Sequence, residues 1–441
     1  MTSIAIRNAK IPINDELVEG NILVEDGYIS AIGKREYKGD TLLNAEGCLT
    51  VPGGIDIHAH IYDPLAISHE DWESGSLAGA YGGLTTIVDM PLRTDVDTIE
   101  ALEAKIREAK EHSFVNYGIT GGFLKNSNIS SIRILRDKGV KTFKMFTCRP
   151  FHVEESSIGF ILEEIARTNS IAIIHAEEDG LIEYMGSKYM VENSILAYHN
   201  SRSDSAEAAA ILRVGLYARE TNSTIHIAHL SSRLGLESIS FLRRNGVKVT
   251  CEVCPHHLYF TREDSTRYGN YLKLAPTLKT KNDIESLWHG LANGLIDIYA
   301  SDNAPSPRYM KETDTWSAWG GIPNLEIMGP FLYTYGVRSG ILSISRFIKV
   351  FSENPARLLG LYPLFGSISI GSRADLYILD TRQPRKITAS THHHKVDWSP
   401  WEGIELYGAP LHLIVNGNVL IEKGEIVAKP GLGVYVGVYI R

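Results

Sequence analysis

Eight short, apolar β-like segments recur along the middle of this chain, and that recurrence limits the fold more than any other feature. They are residues 54–60, 85–90, 116–122, 142–146, 171–176, 225–230, 248–253 and 297–301. Amphipathic helical stretches lie between several of them, at 98–112, 205–220 and 234–245. Strands that read as apolar on both faces and alternate with helices are the pattern of a parallel sheet covered by helices. Eight such units over about 250–300 residues is the count and length of a TIM-type (β/α)8 barrel. A doubly wound open sheet is the runner-up, weakened because no Gly-x-Gly-x-x-Gly follows the first strand.

The two ends of the chain have a different texture. Residues 4–8, 20–24 and 28–32 read as short alternating strands, with a turn at Glu25-Asp26-Gly27. Residues 374–379, 411–415 and 419–422 repeat that texture, and Asn416-Gly417 between the last two is a strong hairpin signal. The expected architecture is therefore α/β: a barrel over residues 51–365, and a small β-sandwich domain formed by both chain termini, residues 1–50 plus 366–441.

Composition excludes several classes. The net charge of −8 argues against a nucleic-acid footprint, which needs a basic patch. Four cysteines in 441 residues make no disulfide framework and suit a reducing cytosol. The first ten residues do not read as a signal peptide, and no window has the apolar length of a membrane span. A cytoplasmic protein without nucleic-acid or membrane partners is expected.

In barrels of this kind the chemistry sits at the C-terminal ends of the strands. Strand one ends in His58-Ala59-His60, whose side chains leave an extended segment on one side. Strand four carries Lys144, strand five ends in His175, strand six in His229 and strand eight in Asp302. Any one of these histidines alone is as well explained by packing, and Asp302 alone by a helix cap. Lys144 in an apolar strand is costly to bury as an ammonium. Together they form a nitrogen/oxygen donor set at one end of the strands, suited to zinc, manganese or cobalt. Cys251-Glu252-Val253-Cys254 is a lone C-x-x-C whose odd spacing sends the thiols to opposite faces, so it reads as packing. The His392-His393-His394 run likewise reads as structural.

With these motifs in place the chain resembles the amidohydrolase superfamily, and within it the cyclic amidases: allantoinase, dihydroorotase and hydantoinase/dihydropyrimidinase. Allantoinase is the nearest pattern, through residues 68–75, Gly82-Gly83-Leu84-Thr85-Thr86, Asp89-Met90-Pro91-Leu92, Ala318-Trp319-Gly320-Gly321-Ile322 and the segment 394–400. The resemblance implies two divalent metal ions, one held by His58, His60 and Asp302, the other by His175 and His229. Lys144 would bridge them as a carbamate (N6-carboxylysine) made with carbon dioxide, which removes the buried ammonium. It further implies hydroxide attack on a small cyclic amide or ureide, with Asp302 as the proton relay, and a homodimer or homotetramer.

Departures from the family pattern bear on the substrate. Tyr62 stands where dihydroorotases carry the arginine that grips the substrate carboxylate. Arg93 replaces the usual asparagine of allantoinases, and Asn303 follows Asp302 where histidine is usual. Arg149 lies beyond strand four, near where hydantoinases place an oxyanion-stabilising tyrosine. Tyr62, Arg93, Arg149 and Asn303 are thus the candidate substrate contacts. The expected reaction is allantoin to allantoate, with hydantoin, dihydropyrimidine and dihydroorotate opening as alternatives. A metal-free, non-catalytic scaffold is the competing class, disfavoured because every ligand position is filled.

Overall fold

The computed structural model describes residues 3–13 and 16–440; Met1 and Thr2, the start of the N-terminal stretch, lie outside the described residues. Strands β1 (Ser3–Ile13), β2 (Glu16–Glu25), β3 (Tyr28–Gly33), β4 (Thr41–Asn44) and β5 (Leu49–Pro52) come from the start of the chain. The middle supplies β6 (Gly54–Ala59), β7 (Leu84–Asp89), β8 (Asn116–Ile119), β9 (Thr142–Phe146), β10 (Ile171–His175), β11 (Thr224–Ile227), β12 (Lys248–Val253) and β13 (Ile298–Tyr299). The end adds β14 (Leu376–Asp380), β15 (Arg385–Lys386), β16 (Glu405–Leu406), β17 (Ala409–Val415), β18 (Asn418–Glu422) and β19 (Glu425–Ile426).

Strands from both ends of the chain build one nine-stranded sheet in the order β19-β18-β17-β14-β5-β1-β2-β3, with β4 on β1. A β-sandwich is expected from the sequence, and hydrogen bonding joins its strands along one continuous path. The cause is β1, which is eleven residues long and shifts register between Ile6 and Ala9. Its first half pairs with β4, and Lys10 pairs with Leu49 of β5. Ile4, Ile6, Ile22, Val24, Leu376, Ile378 and Ile414 fill the core beneath it. Between β17 and β18, Asn416 (φ 54°) and Gly417 (φ 71°) take the left-handed turn their sequence encodes.

The middle strands are parallel throughout. β6-β7-β8 form one sheet and β9 to β13 another, in chain order. Isolated parallel bridges, Gly121 to Phe143 and Ala59 to Asn303, tie the two sheets together at both edges. The eight strands therefore follow one another in ring order. Helices cover the outside, among them Ile99–His112, Asp204–Thr221 and Arg233–Arg244, each started by a serine or threonine side chain that accepts a backbone N–H.

Three expected strands are markedly shorter than the sequence suggests, one of them residues 116–122, which pair as a strand only over Asn116–Ile119. Residues 225–230 stop pairing at Ile227, and residues 297–301 reduce to Ile298–Tyr299. The chain leaves the ladder because His229 (φ 37°) and Asp302 (φ 47°) adopt left-handed conformations unusual for non-glycine residues. Asp302 N donates to His58 O at 2.8 Å, and Ser301 N donates to Asp56 Oδ1 at 3.0 Å. That detour is what brings the chain after β13 over to β6. No helix among the described residues is long and apolar enough to cross a membrane.

Candidate metal centre

His58, His60, Lys144, His175, His229 and Asp302 all line one cavity of about 760 Å³ at the C-terminal ends of the parallel strands. All six side chains are buried. Such strain at His229 and Asp302, paired with burial, is characteristic of positions that surrounding structure holds for function.

The hydrogen bonds set which nitrogen of each imidazole faces the centre. His60 Nδ1 donates to Met90 O at 2.8 Å, leaving the Nε2 lone pair pointed inward. His58 Nδ1 is bonded to the Glu252 carboxylate, so its Nε2 also faces inward as an acceptor. Both Nε2 atoms meet the same carboxylate oxygen: Asp302 Oδ1 lies 3.2 Å from His58 and 3.3 Å from His60. Three acceptors converging with no donor between them repel one another unless a cation sits among them. His58 Nε2 is indeed buried with no hydrogen-bond partner. The donor set fits a divalent ion.

A second pair stands beside it. His175 Nδ1 and His229 Nε2 are 3.0 Å apart, and His175 Nε2 is bonded to Glu177 at 2.8 Å. Burial, reinforced by His175 and Lys144, holds His229 neutral, far below the usual imidazole value. Against burial, Cys148 and Glu177 lift His175 to about 9, so a cation binding there displaces a proton. Lys144 Nζ stands 5.0 Å over the Phe146 ring, and burial lowers its amine to about 8 despite Asp302 and Glu252. An amine so shifted carries an appreciable uncharged fraction at neutral pH, the form that can combine with carbon dioxide.

Groups not singled out in the sequence support this arrangement. Glu252, the residue inside the Cys251–Cys254 motif, holds His58 Nδ1, His226 Nε2 (3.1 Å) and the His229 backbone N–H (3.1 Å). Glu177 is clamped by Arg202 and holds His175. Asp56 accepts from His58 N at 3.1 Å and from Ser301, so it latches β6 to the chain after β13 and does not face the cavity. A fully buried carboxylate in an apolar strand was the available signal for Glu252, masked by the more conspicuous cysteines. Both of those are buried; Cys251 Sγ lies 3.6 Å from Leu295 O, while Cys254 groups with His256 and His257.

The four candidate substrate contacts divide. Arg93 and Arg149 line the cavity. Arg149 is exposed at its rim and already committed, with Nε 2.7 Å from Asp179 Oδ2 and Nη2 2.7 Å from Glu183 Oε2. Arg93 stacks on Trp319, its guanidinium carbon 4.5 Å from the ring centroid. Tyr62 is buried behind the cavity, 4.7 Å from His69 and 6.3 Å from His60 between ring centroids. Asn303 also lies behind it, where Oδ1 accepts from Asn324 N at 2.8 Å and the backbone O accepts from His60 N. Trp319 is held by an Nε1 bond to Ala304 O at 3.0 Å, and the neighbouring Gly321 (φ 132°) leaves no room for a side chain: a Cβ would lie 2.2 Å from Ala304 O. The histidine tract packs the C-terminal segment down: His394 Nδ1 lies 2.6 Å from Glu70 Oε2, and His393 stacks on Tyr81 at 4.0 Å.

Parallel strands in chain order, with clustered imidazoles and a carboxylate at their C-terminal ends, form a candidate metal centre of the kind that hydrolases use. The amidohydrolase family model matches residues 49–420, and the chain belongs to that family. It is 32% identical to an L-hydantoinase of Paenarthrobacter aurescens over 99% of this chain and 98% of the relative. It is 33% identical to a dihydroorotase of Methanosarcina acetivorans (99% and 96%) and 29% identical to an allantoinase of Bacillus licheniformis (98% of each). The solved L-hydantoinase (dihydropyrimidinase) from Arthrobacter aurescens superposes with a TM-score of 0.94 at 32% identity, covering 99% of both chains. The protein is a hydrolase acting on cyclic amides.

Proposed function

We propose that the eight parallel strands form a closed (β/α)8 barrel whose C-terminal mouth holds two divalent ions and opens a five-membered cyclic ureide, the ring shared by hydantoin and allantoin. His58, His60 and Asp302 would hold one ion, His175 and His229 the other, and Lys144, carboxylated by carbon dioxide, would bridge them. The donor set suits zinc, with manganese or cobalt as alternatives. Bound ions of this kind polarise an amide carbonyl and make water a usable nucleophile at neutral pH. The observation that carries the reading is the convergence of His58 Nε2 and His60 Nε2 on Asp302 Oδ1 without any donor between them.

The residues divide the remaining work. Glu252 and the Met90 carbonyl fix the His58 and His60 tautomers, so their lone pairs need no reorganisation when substrate arrives. Asp302 is the proton carrier: its free oxygen can take the proton of the attacking water and return it to the ring nitrogen as the C–N bond breaks. Phe123, Phe146 and Phe151, with centroids 4.9–5.3 Å apart, form an apolar wall against which a flat ring can stack and from which water is displaced. The wall's nearest member to the centre is Phe146, 5.4 Å from the His175 ring.

Two considerations support the five-membered ring, and the second carries the weight. Relatives named L-hydantoinase and allantoinase match over nearly the full chain, as do relatives named dihydroorotase. Tyr62 gives no cation beside His60 for the carboxylate of a six-membered dihydroorotate ring. We read the protein as a cytoplasmic homodimer or homotetramer. The test is a panel of allantoin, hydantoin, dihydrouracil and dihydroorotate on zinc-, manganese- and cobalt-loaded protein. Opening of hydantoin-type rings supports the reading; opening of dihydroorotate alone contradicts it.

A further inference from the structure

We infer that Arg93 is the specificity-determining residue of this cavity and that the ring it opens carries an anionic side arm, a carboxylate or its equivalent. This rests on the hydrolase reading above and narrows its substrate class. Apart from Lys144, five cationic side chains line the cavity. Four of them already have their partners. Lys125 is 3.0 Å from Asp95, Arg149 is held by Asp179 and Glu183, and Arg202 is clamped on Glu177. Lys273 donates to Trp316 O at 2.9 Å and Ala318 O at 2.6 Å. Arg93 alone has no carboxylate or carbonyl on it among the described residues. Its guanidinium lies instead on the Trp319 ring.

That contact prepares the guanidinium for an anion without neutralising it. A cation over an indole face is held in place by the ring quadrupole, while its N–H edge stays free for a planar, two-pronged acceptor. The platform is rigid. Trp319 is tethered to Ala304 O, and its ring packs edge-on against His69 at 4.7 Å. His69 is itself bonded through Nδ1 to Pro305 O at 2.9 Å and packs on Tyr62, the neighbour of His60. Arg93 therefore lines the same cavity as the phenylalanine wall and stands on a row of rings that ends at the candidate metal ligands. A ring stacked on that wall shares the cavity with the Arg93 guanidinium, which is the group there free to receive a charged side arm. A neutral side arm would leave the guanidinium facing water; a carboxylate would satisfy it with charge-assisted bonds.

The experiment compares a hydantoin with a 5-carboxymethyl arm and one with a slightly smaller, neutral 5-propyl arm on metal-loaded wild type, Arg93→Gln and Arg93→Lys. Wild type should prefer the carboxylated ring in kcat/KM, and Arg93→Gln should lower that preference by about 10- to 100-fold, mainly through KM. Arg93→Lys, which keeps the charge and loses the fork, should fall between the two. Equal losses on both rings, or a wild-type preference for the propyl ring, would overturn the inference and leave the hydrolase intact. If wild type opens neither these rings nor any member of the panel above, the hydrolase reading fails and this inference falls with it.

Discussion

The Nε2 atom of His60 lies 3.3 Å from Oδ1 of Asp302, with the imidazole locked from behind by its Nδ1 bond to the Met90 carbonyl. An acceptor facing an acceptor at that distance makes sense around a cation, and the proposal gives Asp302 the roles of ligand and proton carrier. Asp302→Asn keeps the size of the side chain and one coordinating oxygen but cannot carry a proton. Turnover should fall by roughly 10²- to 10⁴-fold, the usual contribution of a general acid–base group, while metal content by elemental analysis changes little. Turnover close to wild type would remove Asp302 from the proton path.

Glu252 acts through His58. Replacing it by Gln keeps a hydrogen-bond acceptor but removes the charge that makes His58 a stronger donor to a metal. Metal affinity should drop by about 10- to 100-fold, read as the chelator concentration that strips half the metal. The apparent stability without metal should change far less than the affinity. Unaltered chelator resistance would make Glu252 a packing residue only.

Behind the site, Lys105 is fully buried, 2.6 Å from Asp89 Oδ2, and donates to Ile61 O at 2.9 Å and Asp63 O at 2.8 Å. It holds down the segment that follows His60. Lys105→Met strands a buried carboxylate and frees two carbonyls, a change that typically costs about 3–5 kcal/mol. Chemical denaturation should show that loss. A cost below about 1 kcal/mol would show that this clamp is not what orders residues 61–63.

Stability should depend on pH through His199. Burial, with Lys279 and Arg262 nearby, pushes its imidazole down to about 3. The unfolded chain takes up a proton at the ordinary value of about 6.5, and the folded chain resists until about 3. Stability therefore falls as pH drops across that window, by about 1.4 kcal/mol per unit for one proton. In His199→Phe that contribution is absent, so the stability difference between variant and wild type should shift in the variant's favour from pH 6 to pH 4. A difference independent of pH would contradict it.

Much of the architecture is legible in the sequence. The eight middle segments carry apolar residues on both faces, which only a sheet covered on both sides tolerates, and the helix starts at Thr98 and Ser232 are written in the capping side chains. Less legible was where strands stop. His229 and Asp302 look like strand ends in sequence, yet their left-handed backbone depends on partners far along the chain, such as Asp56 on Ser301. The candidate ligands could be listed because imidazoles at strand ends stand out in an apolar background. Glu252 and Glu177 could not, since a buried carboxylate reveals its role only through what it touches. The two arginines read alike in sequence, and only the Asp179–Glu183 pair tells Arg149 from Arg93.

The central claim is that the imidazole–carboxylate cluster holds a pair of divalent metal ions that ring opening requires. The most direct test follows metal content and ring opening in the same samples while a chelator removes metal and zinc, manganese or cobalt is returned. The account predicts two equivalents per chain, ring opening lost in step with them, and recovery on reloading. Full ring opening by metal-free protein, or two equivalents of metal on a chain inert towards every ring of the panel, would contradict it.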